Sequence, residues 1–187
     1  MKTGLGLIGM LLFQLTVSAV PIATTTYGGD TFELFAGNLT WTAAEASAVA
    51  DGGCLAVLTT AAQTTAVYNG LIGNGFFQTS GNQSDEAWLG AVPADGSHST
   101  TSPGNWAWVD GSTWTSFDTS NFHSGEPSGD SEGLAINRYG DSTFNDEGSQ
   151  VGGYIVEIPG VPDSDSALAM LGASFLTIGA IRRKFGK

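Results

Sequence analysis

The chain is poor in charge, and above all in positive charge. Charged residues make up 13% of its 187 positions, about half of what a soluble domain usually carries. Of its six Lys and Arg, five sit at the ends: Lys2, Arg182, Arg183, Lys184 and Lys187. Between Val20 and Gly160, Arg138 stands alone against 16 acids, the chain's 18 less Asp163 and Asp165. Such a stretch cannot neutralise phosphates, which excludes nucleic acid as the main partner. Anionic lipid is excluded as a partner of that stretch on the same ground. Divalent cations and neutral ligands remain.

Cysteine is almost missing as well. Cys54 is the single one, so no intramolecular disulfide and no Cys-rich zinc or iron–sulfur site can form. It lies in the apolar run Cys54-Leu55-Ala56-Val57-Leu58, with no His or Lys nearby in sequence to lower its pKa, and reads as a small buried hydrophobe. His98 and His123 stand isolated in Ser- and Gly-rich loops, without a third ligand at zinc spacing, and read as solvated side chains. The length suits one domain with two short appendages.

Both appendages read as addresses. Lys2, the apolar run Leu5 to Val17 and the small residues Ser18-Ala19 have the order of a secretory signal peptide over residues 1–19, cut after Ala19. At the other end, residues 161–187 hold Val161-Pro162-Asp163-Ser164, an apolar run from Ala167 to Ile181, and Arg182-Arg183-Lys184. A basic cluster after a short span marks the cytoplasmic side. This three-part tail resembles the PEP-CTERM class of bacterial sorting signals, in the variant opening Val-Pro-Asp-Ser-Gly, with Asp165 in place of the Gly. The resemblance implies retention in the membrane through the C-terminal segment. Processing by an exosortase-like enzyme and display at the cell surface or in the extracellular matrix of a bacterium follow from it.

From Thr24 to Pro159 the chain reads as one domain. Thr31-Phe32-Glu33-Leu34-Phe35 alternates like a strand that turns at Gly37-Asn38. Thr40 is placed to cap a helix ending at Asp51-Gly52-Gly53, Leu55 to Leu58 reads as a buried strand, and Thr59-Thr60 can cap a second helix to Ile72. Beyond Gly73 come Gly-, Ser-, Thr- and Asn-rich stretches punctuated by aromatics, closed by the β-rich run Tyr154-Ile155-Val156-Glu157-Ile158. Two helices followed by short strands is an α+β plan. Loops this long inside one domain are usually functional.

The order of landmarks resembles a C-type lectin-like domain over nearly the whole stretch from Tyr27 to Glu157. Trp41-Thr42-Ala43-Ala44-Glu45-Ala46 is similar to the family's first helix, and Gly52-Gly53-Cys54-Leu55-Ala56 to its Gly-Gly-x-Leu-Ala. Trp88-Leu89-Gly90-Ala91 stands for Trp-Ile-Gly-Leu, and Trp106-Ala107-Trp108-Val109-Asp110-Gly111 for Trp-x-Trp-x-Asp-Gly. Gly125-Glu126-Pro127-Ser128 looks like Gly-Glu-Pro-Asn, and Phe144-Asn145-Asp146 like Trp-Asn-Asp. The resemblance implies two helices, short antiparallel sheets and a long calcium-binding loop region. The paired cysteines of animal members are missing, with Leu134 and Ala48 in their places, so apolar packing has to replace the cross-links. Five Trp supply it, each aromatic burying about 150–250 Å².

What the family's ligand positions imply is calcium held by Glu126, Glu132, Asn145 and Asp146, with a cis bond before Pro127. The sugar would complete the metal shell and touch Glu126, Ser128, Glu132, Asn145 and Asp146. Calcium takes six to eight oxygens, preferably carboxylate and amide carbonyl, and this set offers them. Glu126 first in the motif goes, in this family, with mannose-type ligands. Ser128 replaces an Asn and offers a shorter arm and a single hydroxyl; Asp130 is placed to compensate. The expected activity is calcium-dependent carbohydrate binding without catalysis. The alternative is a calcium-stabilised structural or adhesive domain whose partner is protein. An enzyme on the related formylglycine-generating fold is set aside, since that family needs a cysteine pair.

Overall fold

The computed structural model of the protein describes residues 19–72, 82–130 and 132–160. The signal segment up to Ser18 and the tail from Val161 lie outside the described residues, so the expectations placed on them stay expectations. Among the described residues no helix is long and apolar enough to cross a membrane.

The first strand, β1 (Ala23–Tyr27), turns into β2 (Asp30–Leu39) across Gly28-Gly29. Both glycines have positive φ, 66° and 103°, a conformation that glycine adopts without a Cβ penalty and that matches the strand twist. β2 does not stop at Gly37-Asn38, where the sequence suggests a turn. Its pairing with the last strand, β9 (Val151–Ile158), runs to Ala36↔Gly153, shifts register, and resumes at Leu39↔Val151. Gly37 and Asn38 therefore form a bulge inside one strand.

Helix α1 (Trp41–Ala50) begins where expected, with the Thr40 hydroxyl accepting the Ala43 N–H at 3.3 Å. Ala44 and Ala48, one turn apart, are fully buried against Phe35, Trp88 and Tyr154. Strand β3 is only Cys54–Leu55, shorter than the run Leu55 to Leu58 suggests. The Ala56 N–H still reaches Ile155 O at 2.8 Å, but the next positions of β9 are taken by β4 (Ala87–Trp88). Ala56, Val57 and Leu58 stay buried without a ladder of their own.

Helix α2 (Ala61–Ile72) is capped reciprocally: Gln63 N–H donates to the Thr60 hydroxyl at 3.2 Å, and Thr59 N–H donates to the Gln63 side-chain Oε1 at 3.1 Å. It lies on β1 at Gly70, where an added Cβ would stand 2.3 Å from Thr25 Oγ1.

The main sheet runs β1-β2-β9-β4, then β7 (Gly133–Ile136) and β8 (Phe144–Glu147), with β3 on the flank of β9. All its pairings are antiparallel except β4 with β9, so the sheet is mixed rather than purely antiparallel. β5 (Ala91–Pro93) and β6 (Trp106–Trp108) make a second, two-stranded sheet. A short helix, α3 (Ser116–Ser120), closed by a Thr115/Asp118 capping box, has no counterpart in the sequence reading. Trp106, Trp108, Trp114, Phe117, Phe122 and Phe144 pack ring to ring under the long loops. Leu134 and Ala48, in the places of cysteines, are both fully buried. Hydrophobic packing thus fills both positions.

Candidate functional site

The loop from His123 to Asp130 is anchored at both ends. His123 N–H donates to Phe144 O at 3.0 Å, and Glu126 N–H donates back to His123 O at 3.0 Å, with Gly125 at φ 96° in the turn. The Glu126–Pro127 peptide is cis, as expected. Beyond it the chain wraps over one carboxylate. Asp146 accepts the N–H groups of Ser128 at 2.6 Å, Gly129 at 2.8 Å and Asp130 at 3.1 Å, and the Ser128 hydroxyl at 3.3 Å. Asp146 is 1% exposed. Its first role is to hold the loop.

Asn145 points elsewhere. On β8 successive side chains leave opposite faces of the sheet, and the amide of Asn145 donates to Glu86 Oε2 at 3.2 Å. Glu86 is fully buried. Its other oxygen meets Arg138 at 2.7 Å, and the same guanidinium lies 3.6 Å from Glu147. Gln83 donates to Glu147 at 2.9 Å. Burial pushes the Glu86 carboxyl up to about 7, with Glu147 adding and Arg138 and Asn145 opposing. The single cation of the domain is thus committed to an internal carboxylate cluster.

Glu126 faces the opposite situation. Oε1 accepts the Tyr139 hydroxyl at 2.5 Å, whereas Oε2 is buried and has no hydrogen-bond partner. Its carboxyl is raised, first by burial and further by the neighbouring Asp146 carboxylate, with Tyr139 and Ser128 opposing. Three other buried side-chain atoms among the described residues lack partners, Trp106 Nε1, Trp108 Nε1 and Asp118 Oδ1. Those belong to the aromatic core and α3; Glu126 Oε2 alone of the four belongs to this loop.

Tyr139 arrives from the β7–β8 turn. Asn137, at φ 78°, and Gly140, at φ 77°, shape that turn, and the Tyr68 hydroxyl donates to the Asn137 side chain at 2.5 Å. The Tyr139 ring stacks on His123, with centroids 3.6 Å apart and planes at 17°. Burial and then Glu126 push its phenol up to about 12. The side chain is nevertheless 41% exposed.

Of the expected calcium ligands, the structure brings together Glu126 and Asp146. Glu132 precedes β7, its N–H on Glu147 O at 2.8 Å, and no hydrogen bond among the described residues joins its carboxylate to that pair. The Ser128 hydroxyl donates to Asp130 at 2.8 Å on the exposed side of the loop. Two carboxylates fall short of the six to eight oxygens that calcium takes, and no group of three or more His, Cys, Asp or Glu among the described residues could hold a metal. The orphaned Glu126 oxygen beside a second carboxylate does fit a cation. As described, the pair is a partial donor set.

Two features were missed in the sequence. Glu86 precedes Trp88 with no pattern of its own, although Arg138 as the only Lys or Arg between Val20 and Gly160 could have prompted a search for its partner. Tyr139 lies 13 positions from Glu126, and only the β7–β8 hairpin joins them. His123, read as solvated, proves to be half of a ring stack.

No protein-family model and no curated protein matches the chain. Solved structures do match. CEL-IV is 23% identical with a TM-score of 0.58, over 78% of this chain and 97% of that one. The cow C-type carbohydrate-recognition domain of CD23, solved in the presence of a GlcNAc2Man3 oligosaccharide, is 17% identical at 0.53, over 78% and 99%. A calcium-independent type II antifreeze protein is 18% identical at 0.55, over 79% and 100%. At these identities the likeness concerns the fold. The chain has an α+β, C-type lectin-like fold with two main helices and a mixed sheet.

Proposed function

We propose that this protein is an exported carbohydrate-binding module whose sugar site is the loop at Glu126 and Asp146. The observation that carries the reading is Glu126: a carboxylate at a loop tip with one oxygen unpartnered and the other held by a hydroxyl. A buried acceptor without a donor is costly, and a sugar hydroxyl or a cation supplies what is missing. Calcium would be held there by Glu126 and Asp146, with Glu132 as a further candidate ligand and Asn145 as one only on leaving Glu86. When bound it would give hard positive charge for two neutral sugar hydroxyls.

The residues also select by charge. Between Val20 and Gly160 sixteen acids stand against one Arg138 committed to Glu86, so an acidic sugar would meet repulsion and no Lys or Arg to pair with, whereas neutral hexoses would not be repelled. Mannose-, fucose- or GlcNAc-like sugars are the proposed ligands, bound weakly because the Ser128 hydroxyl is engaged within the loop. Multivalent display would make such binding useful. Export, retention through the C-terminal segment, exosortase-like processing and display on a bacterial surface or matrix complete the proposal, resting on the two terminal patterns.

A second reading has one specific observation in its favour. The four hydrogen bonds on Asp146 hold the loop in one shape, as a calcium-stabilised structural or adhesive domain with a protein partner would need. A glycan array probed in calcium and again in chelator separates the two. Neutral mannose-type glycans retained in calcium support the first; no glycan retained in either condition refutes it.

A further inference from the structure

We propose that Tyr139 is both the plug and the wall of this sugar site, deciding how tightly a ligand binds. The inference rests on the sugar-binding reading of Glu126. A phenol carries an O–H donor on a six-membered ring, and at Glu126 the Tyr139 hydroxyl supplies the kind of contact that a pyranose hydroxyl would. A ligand hydroxyl that takes Glu126 Oε1 must first displace it.

Displacement is feasible because Tyr139 is 41% exposed and sits at a hairpin turn, outside the packed core. Its visible restraints are the hydrogen bond to Glu126 and the stack on His123. His123 is in turn fixed by its main-chain bond to Phe144 O, so the aromatic pair has one anchored member beside the carboxylate. A pyranoside entering at Glu126 would break the phenol's hydrogen bond and lay its C–H face against the ring. The hydroxyl therefore opposes binding, while the ring favours it. These opposite signs make the two roles separable by substitution.

The test uses methyl α-mannopyranoside titrated into the purified protein, Tyr139→Phe and Tyr139→Ala, in calcium and in chelator, with melting curves to confirm that all three fold. Tyr139→Phe removes the plug and keeps the wall, and should bind about three- to tenfold tighter than the parent, the equivalent of one exposed charge-assisted hydrogen bond. Tyr139→Ala removes both and should bind at least about threefold more weakly than Tyr139→Phe. Equal affinity of Tyr139→Phe and the parent overturns the plug, and equal affinity of the two variants overturns the wall, each leaving the sugar site in place. Absence of binding by all three overturns the sugar site and this proposal with it.

Discussion

Replacing Arg138 by Met tests how the one cation of the domain is used. The guanidinium lies 2.7 Å from a fully buried Glu86 and 3.6 Å from Glu147, and is itself 31% exposed. Met keeps much of the volume and removes the charge. Glu86 is left with Asn145 as its hydrogen-bond donor and with Glu147 as a like charge. Breaking a buried pair from one side costs about 3–5 kcal/mol, and the partial exposure of Arg138 places the expected loss near the bottom, at about 3 kcal/mol. For a domain of this size that is a fall in Tm of about 10 °C. Denaturant melts of the parent, Arg138→Met, Glu86→Gln and the double variant form a cycle. The double variant should recover much of the loss, because a neutral amide needs no counterion. An Arg138→Met protein within about 0.5 kcal/mol of the parent would refute the reasoning, since that is the range of an ordinary surface substitution.

Glu157 gives a pH-dependent counterpart. Burial pushes its carboxyl up to about 7 from 4.5 in the folded chain, with Asp30 and Asp110 adding, so the folded form holds the proton more tightly. Stability from this group is then full at pH below about 4.5 and declines as pH rises toward 7. Glu157→Gln, which keeps an acceptor for the Val57 N–H, should be more stable than the parent at pH 8 by about 1–2 kcal/mol after solvent screening. The gap should shrink at pH 5; a constant gap across that range would contradict it. Gly133→Ala puts a Cβ 2.0 Å from Trp41 Cδ1 at the start of β7, and thermal melts should show a loss of about 1–3 kcal/mol. Cys54, with its thiol pushed up to about 12 by burial and by Glu157, Glu45 and Asp110, should react with disulfide reagents at neutral pH only once the protein is unfolded.

Local signals were legible where one residue decides the outcome. Thr40 before an Ala-rich run and Thr59-Thr60 before α2 each place a cap, and the observed caps use Thr40 and the Thr60–Gln63 pair. The motif order announced the fold despite the missing disulfides, because Trp and Gly positions carry it. Trp41 donates to Leu89 O at 2.8 Å, and Gly90 lets Leu55 O approach within 2.3 Å of where a Cβ would stand. Competition between distant segments was not legible. β3 stops at Leu55 because β4 takes the rest of the edge of β9, and Gly37-Asn38 bulge because β9 continues past them. At the site, Glu126-Pro127 and Asn145-Asp146 were visible as pairs. Strand alternation, which sends Asn145 to Glu86 and Asp146 to the loop, depends on β8 being regular through both residues.

The central claim is that Glu126 receives a sugar hydroxyl, and equilibrium binding of methyl α-mannopyranoside to the parent and to Glu126→Ala, side by side in calcium, tests it most directly. The parent should bind in the millimolar range, and Glu126→Ala about tenfold more weakly or not at all, with unchanged melting behaviour. Equal binding by both proteins, or binding by neither, would contradict it.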